Sequence, residues 1–200
     1  AIKREEGTRT ASRISSSLLR DTRNAFIMPS EGNRSEATLQ LNGGPMGGNT
    51  HYWRMEGRSA QFWPLSENRH QVLSLLGSLG ALTPFRSKEV PIFDRYYLGG
   101  AQSLRGFPHH GVSPKVDAQD QVLTKNSPNK DLAEPIGGNS FALGSLEYNI
   151  DLIDPLVLAL YYDWGFVNHK KWDFNPSHYN DNWGIGFILP ILGTPLRLDF

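Results

Sequence analysis

The stretch LVLALYYDWGF, residues 156–166, decides the fold class of this protein. Apolar side chains occupy every second position, so that Leu158 and Leu160 fall on one face, whereas Ala159 and Asp163 fall on the other. Because successive side chains of a β-strand point to opposite faces, this period of two predicts a strand with one apolar face and one small or polar face. The apolar face ends in large aromatic side chains, which is unusual for a soluble sheet.

The same alternation recurs along the chain, and it predicts eight strands and no helix. It is clear in NWGIGFILP at residues 182–190 and in PLRLDF at residues 195–200, and it is weaker in residues 70–82. The chain contains twenty Gly and thirteen Pro, a composition that agrees with strands joined by turns. The predicted strands cover residues 11–22, 35–42, 50–65, 70–82, 140–150, 156–166, 182–190 and 195–200.

The polar faces of the predicted strands hold charged side chains, among them Glu36, Glu147, Asp163 and Arg197. A soluble β-sandwich packs apolar faces together and turns its polar faces outward. A transmembrane β-barrel does the opposite, because its apolar face contacts lipid and its polar face lines the lumen. The alternation by itself leaves both folds open.

The connections between strands help to choose between these two folds. Short turns are predicted at residues 65–68, 151–155 and 190–194, and longer connections at residues 83–139 and 168–181. Short turns on one side and longer loops on the other are typical of outer-membrane barrels. The sequence therefore favours an all-β, antiparallel transmembrane β-barrel over a soluble β-sandwich.

Aromatic residues near the predicted strand ends agree with the barrel. Outer-membrane barrels have girdles of aromatic side chains at both membrane interfaces, although ordinary core aromatics are the alternative. The residues that we assign to the girdles are Tyr52, Trp53, Phe62, Trp63, Tyr161, Tyr162, Trp164 and Trp183.

Charge and motif content argue against several other classes of protein. Twenty basic and twenty acidic residues balance, whereas nucleic-acid-binding proteins normally have a basic excess. The chain contains no cysteine and no Gly-x-Ser-x-Gly elbow, and the histidines His109, His110, His169 and His178 have no regular ligand spacing. We therefore predict no catalytic residue, no metal site and no cofactor, and so no enzyme.

The long predicted connection contains the sequence FDRYYLGGAQSLRGF at residues 93–107. Its last nine residues resemble the Gly-Gly-x-x-(Ser)-(Val/Leu)-Arg-Gly-(Phe/Tyr) loop motif of the outer-membrane assembly-factor superfamily, which includes the BamA and TamA insertases and the two-partner-secretion transporters. The likeness spans most of the chain and continues through further segments in family order. These segments are residues 21–24 with Pro29 and Gly32, and residues 137–139, 146–148, 162–165 and 193–200.

The resemblance implies a role for each residue of the loop motif. In the family, this loop folds back into the barrel lumen, and its arginine pairs with acidic residues on the following strands, which by position are Glu147 and Asp163. A planar guanidinium binds carboxylates through two parallel hydrogen bonds, which lysine cannot reproduce. The glycine after the arginine allows close backbone approach, and the phenylalanine adds an aromatic contact. The motif residues are Gly99, Gly100, Ser103, Leu104, Arg105, Gly106 and Phe107.

Barrel size gives a further expectation about residues 1–200. A closed eight-stranded barrel has an interior just wide enough for side chains and does not admit a loop at about 83–139. An open sheet in lipid leaves unpaired backbone groups, each of which costs several kcal/mol. We therefore expect a partial barrel domain, about eight strands of sixteen in family terms, with the POTRA domains and the closing strand absent. The charged residues 1–10 contain no signal peptide, which indicates that upstream sequence is missing.

The resemblance implies a factor that inserts and folds β-barrel proteins in the bacterial cell outer membrane. Its partners are then unfolded outer-membrane protein substrates, outer-membrane lipids and accessory lipoproteins, and no nucleic acid. A two-partner-secretion-type translocation pore and a passive porin-like barrel are the alternatives. The sequence leaves the choice between insertase and transporter open.

Overall fold

A computed structural model describes residues 7–68, 70–86, 89–117, 122–123, 133–191 and 194–200 of the chain. The described residues form ten strands and three short 3-10 turns, at Gly44–Met46, Ile92–Asp94 and Pro176–His178. None of the helical segments described is long and apolar enough to cross a membrane. The strands are β1 (Arg13–Asp21), β2 (Gly32–Asn42), β3 (Tyr52–Pro64), β4 (Gln71–Pro84), β5 (Lys115–Val116), β6 (Glu134–Pro135), β7 (Ser140–Ile153), β8 (Leu156–Asn168), β9 (Asn180–Ile191) and β10 (Thr194–Asp199).

Eight of these strands form one antiparallel sheet in the order β1-β2-β3-β4-β7-β8-β9-β10. These eight strands coincide with the eight predicted ones, which confirms the all-β, antiparallel class. The two-residue strands β5 and β6 pair only with each other, inside the connection between β4 and β7. The alternation pattern missed them because two residues are too few to show a period.

The two faces of the sheet differ as a membrane barrel requires. On the outer face the apolar side chains are solvent-accessible, so that Leu160 is 40% and Leu198 is 57% exposed. On the other face, which we call the lumenal face because the long connection packs against it, Ser74 and Asp163 are buried. This distribution is the inverse of a soluble sandwich and typical of an outer-membrane barrel. Among the described residues β1 and β10 lie at opposite edges, and the sheet is not closed.

The predicted aromatic girdles are wrong for two residues. Trp53, Trp63 and Trp183 are exposed on the outer face, whereas Tyr52 and Tyr161 are buried on the lumenal face. The reason is the strand period itself, because neighbouring residues such as Tyr52 and Trp53 must point to opposite faces. Proximity to a strand end therefore did not suffice to place an aromatic side chain at the membrane interface.

The connection between β4 and β7 packs on the lumenal face through an apolar cluster. The loop contributes Leu98, Leu104 and Val112, and the wall contributes Leu82 and Phe141, all of them buried. Burial of each such side chain contributes roughly 1.5–3 kcal/mol relative to exposure in water. The loop is thus seated on the wall, which brings its polar residues to defined places on the strands.

Candidate functional site

The part of the loop that holds the predicted motif is a closed lasso. Leu98 and Val112 exchange two backbone hydrogen bonds of 3.0 Å at its base. Gly99 has a φ of +113°, and a Cβ there would lie 2.2 Å from the carbonyl oxygen of Pro108, so only glycine fits this turn. The Ser103 hydroxyl donates to the Gly99 carbonyl and accepts from the Gly99 amide, both at 2.9 Å. These contacts fix the turn that presents Arg105 to the wall.

Arg105 forms a forked ion pair with Asp163 on β8. Its Nε donates to Asp163 Oδ2 and its Nη2 donates to Oδ1, both at 2.6 Å. Its Nη1 donates to Glu147 Oε2 on β7 at 2.8 Å, and Nη2 also donates to Ser145 Oγ at 2.9 Å. The guanidinium lies 3.6 Å from the ring centre of Tyr161. The structure thus brings the three residues predicted to pair, Arg105, Glu147 and Asp163, into direct contact.

The strand register explains why these wall residues converge. Ser145 lies opposite Asp163, and Glu147 lies opposite Tyr161, in the β7–β8 pair. All four side chains therefore project from one patch of the lumenal face. Asp163 is completely buried, and Arg105 and Glu147 are each 9% exposed. Charge-assisted hydrogen bonds in such a shielded place are stronger than those on a surface.

Gly106 and its neighbours complete the contact between motif and wall. A Cβ on Gly106, whose φ is +82°, would lie 2.2 Å from Asn182 Nδ2 on β9. Asn182 is paired with Asp163, so the glycine lies directly beside the Arg105 site. Leu104 is fully buried in the apolar cluster, and Phe107 packs against that cluster, partly buried. Gly100, the remaining motif position, also has a positive φ, of +95°.

A second arginine reaches the same carboxylate from β10. Arg197 Nη1 donates to Glu147 Oε1 at 3.1 Å, and Nη2 lies 2.8 Å from Oε2. Arg197 Nε also donates to Asp199 Oδ1 at 2.7 Å. Two guanidinium groups, of Arg105 and Arg197, therefore face the three carboxylates of Glu147, Asp163 and Asp199. This compensated cluster holds the loop to strands that are distant in sequence.

Our sequence reasoning did not connect four residues of this cluster to Arg105. Ser145, Tyr161, Asn182 and Arg197 each contact it or its partners. The alternation did place Ser145 and Arg197 on polar faces, which was the available signal. It did not indicate how strands pair, and that pairing decides which polar residues meet.

The loop also contacts the opposite part of the wall. Arg54 on β3 donates to the backbone carbonyl of Asp94, and its guanidinium lies 5.0 Å from the ring centre of Tyr96. Arg13 on β1 lies 3.6 Å from the Asp94 carboxylate. We call this group the Arg54 anchor, and the contacts of Arg105 the Arg105 anchor.

The predicted absence of a metal site concerns four histidines. His109 and His110 stack on each other with ring centres 3.9 Å apart, and His110 stacks on Tyr97 at 4.3 Å. Burial, with the neighbouring His109, lowers the pKa of His110 below its usual value. Within the described ranges there is no group of three or more His, Cys, Asp or Glu side chains that can hold a metal ion.

Comparison with known proteins places these features in a family. Residues 1–200 match the Omp85 superfamily domain. Outer membrane protein assembly factor BamA of Nitratidesulfovibrio vulgaris is 27% identical over 176 residues, which are 87% of this chain and 20% of that protein. A SAM50-like protein of Schizosaccharomyces pombe is 32% identical over 61% of this chain and 26% of its own length. A sorting and assembly machinery component 50 homolog of Bos taurus is 32% identical over 58% of this chain and 24% of its own length.

A solved structure shares the fold. The crystal structure of BamA from Haemophilus ducreyi lacking POTRA domains 1–3 superimposes with a TM-score of 0.76 at 22% identity, over 94% of this chain and 38% of that one. The described sheet is therefore part of an outer-membrane type of β-barrel, and the chain spans between 20% and 38% of the length of these four proteins. Because the family match extends over all of its residues, the chain belongs to the Omp85 superfamily.

Proposed function

We propose that this chain is part of a factor that inserts and folds β-barrel proteins in the outer membrane. The observation that supports the proposal most is the Arg105 anchor, a buried ion pair of 2.6 Å that ties the family's loop motif to the lumenal wall. Such an anchor requires two prepaid conditions, a desolvated carboxylate and a loop shaped to reach it. A passive pore has no need of either. The names of the relatives, which are assembly factors and assembly machinery components, support the same function.

We propose further that the sheet is about half of a sixteen-stranded barrel whose lumen holds the loop at about 83–139. The open edges of β1 and β10 support this, because unpaired strand edges in lipid cost several kcal/mol per group. The closing strand and the POTRA domains are then not among these 200 residues. The partial coverage of the relatives supports the same division.

In this proposal the protein acts by binding and shape, without a catalytic residue, a cofactor or covalent chemistry. Its ligands are unfolded outer-membrane protein substrates and outer-membrane lipids, with accessory lipoproteins as partners and no nucleic acid. The loop covers one side of the wall, while Arg34, Glu36 and Arg58 on β2 and β3 line the trough beside it. We place the protein in the bacterial outer membrane, the setting named for its BamA relatives.

A charge-swap rescue in the full-length protein tests this function. Arg105→Glu and Asp163→Arg are each expected to abolish outer-membrane barrel assembly, because each leaves like charges buried together. The double variant is expected to recover assembly, because it restores the pair in reversed order. Arg58→Glu, which changes an exposed arginine of the trough, serves as the matched control.

The readout is the amount of folded barrel protein in the outer membrane of cells that depend on the variant. Full assembly by both single variants would contradict the proposal and favour a passive porin-like barrel. Assembly defects that the double variant fails to repair would show that the contact of Arg105 with Asp163 is not the reason for the defect.

A further inference from the structure

Strand β10 lies at the edge of the described sheet and has an outer face that does not specify its register. Leu196, Leu198 and Phe200 lie opposite Leu189, Phe187 and Ile185 of β9, so that every outer pair is apolar and bulky. A slip by two residues keeps each side chain on its face and again pairs apolar with apolar. The outer face therefore tolerates three registers about equally, and something else must select the observed one.

The lumenal face of the same strand is specific. It presents only Arg197 and Asp199, opposite Ile188 and Gly186 of β9. Gly186 leaves space for these two side chains, since a Cβ there would lie 2.4 Å from Asp199 Oδ1 and 3.2 Å from Arg197 Nη2. Over this gap Arg197 passes two strands and reaches Glu147 on β7.

Glu147 is shared by the two arginines. Its Oε2 accepts from Arg105 Nη1 at 2.8 Å and lies 2.8 Å from Arg197 Nη2, and its Oε1 accepts from Arg197 Nη1. A slip of β10 by two residues moves Arg197 by about 6.8 Å along the strand, which is beyond the reach of any ion pair with Glu147. The ion pair thus forms in one register only.

We propose that Arg197 is a positioning residue that sets the register of β10 through its ion pair with Glu147, the carboxylate that also receives the lumenal loop. The edge strand and the Arg105 anchor are then joined at one side chain. This device is independent of the proposed assembly function, because it concerns only how the strand is seated.

Disulfide trapping in the full-length protein, in isolated membranes, tests the register directly. A cysteine at Leu198 is combined with one at Phe187, which lies opposite it, or with one at Ile185 or Leu189, which lie opposite after a slip by two residues. Directly opposite positions are close enough for a disulfide, and positions two residues away are near or beyond its limit. In the parent protein only the pair of Leu198 with Phe187 is expected to cross-link efficiently.

Arg197→Met keeps the length of the side chain and removes its charge. We expect this variant to raise cross-linking of the slipped pairs, relative to the opposite pair, about fivefold or more. Arg197→Lys, which keeps a cation, should restore much of the parent ratio. Arg105→Met is expected to leave the ratio unchanged, because Arg197 still holds Glu147, and Arg58→Met is the control for loss of a lumenal arginine.

A second pair of variants decides the matter if Arg197→Met does not accumulate. Gly186→Ala keeps both charges but pushes the Asp199 carboxylate aside, whereas Gly77→Ala on β4 adds a methyl group where no atom lies within 4 Å. We expect slipped cross-links with Gly186→Ala and the parent pattern with Gly77→Ala. An unchanged ratio in the Arg197 and Gly186 variants, or an equal rise in the Arg105 or Arg58 variants, would overturn the proposal.

Discussion

The Arg105 anchor and the Arg54 anchor hold the same loop by different physical means. At the Arg105 anchor, a guanidinium meets two carboxylates, of which Asp163 is wholly buried. At the Arg54 anchor, the Arg54 side chain is 23% exposed and donates to a backbone carbonyl, and the Arg13 side chain beside it is 52% exposed. One end of the loop is thus held by desolvated charges and the other by polar contacts near water.

The difference indicates which end of the loop is the more permanent. Breaking a buried ion pair strands an uncompensated charge and is strongly destabilising, whereas water readily replaces a lost contact at an exposed pair. We therefore expect the Arg54 side to open more readily than the Arg105 side. Four substitutions test this ranking, from the largest expected effect to the smallest.

Arg105→Ala is expected to lower the free energy of unfolding by about 3–5 kcal/mol, because it leaves Asp163 buried without its cation. Urea unfolding of the full-length protein in detergent measures this loss. Arg105→Lys, which keeps the charge but not the fork, should lie between the variant and the parent. A loss below about 1 kcal/mol would mean that the anchor is as solvated as a surface ion pair.

Gly106→Ala is expected to cost about 1–3 kcal/mol through its positive φ, with an added cost from the collision with Asn182. Gly100→Ala is the matched control, because it has a similar φ but its Cβ would lie 3.5 Å from the nearest atom. The same unfolding measurement compares the two. Adding Asn182→Ala should recover part of the loss for Gly106→Ala and none for Gly100→Ala; equal recovery would contradict the close contact.

Arg54→Ala is expected to cost about 1–2 kcal/mol, from one charge-assisted hydrogen bond and one cation–π contact. Its main effect should be local, so limited proteolysis of the loop is the measurement. We expect faster cleavage near Asp94 with little change near Arg105. Parallel loss of protection at both places would mean that the two anchors are not separable.

Arg13→Ala is expected to change stability by no more than about 1 kcal/mol, because its ion pair with Asp94 is long and exposed. Salt distinguishes this contact from the others, since exposed pairs are screened within about 8–10 Å at ordinary ionic strength. The proteolysis rate should differ from that of the parent only at low salt. A difference that persists at high salt would show that the contact is more shielded than its exposure indicates.

The strands and their faces could be predicted from the sequence because both are local properties. An alternation such as Leu158, Ala159, Leu160 reports a strand and its two faces without any knowledge of its neighbours. The predicted strands therefore matched the observed ones, and the errors lay where a local pattern is silent. Tyr161 was placed at the membrane interface, although it lies under the Arg105 guanidinium.

The meeting of Arg105 with Glu147 and Asp163 followed from family resemblance and not from spacing. The three residues are in contact in the structure, and their role in assembly stays a prediction. The contacts of Asn182 and Arg197 with this cluster had no sequence signal beyond polarity. They depend on β9 and β10 being paired in one particular register.

The sequence by itself determined an all-β chain whose strands have one apolar and one polar face, because side-chain alternation is a property of each strand alone. The tertiary structure alone decided which polar residues share the lumenal patch, that Gly106 lies against Asn182, and that two arginines share Glu147. Those contacts join residues about 40 to 60 positions apart, such as Arg105 with Glu147 and Asp163. Register between strands and the seating of the loop set them, and both arise only when the whole sheet has formed.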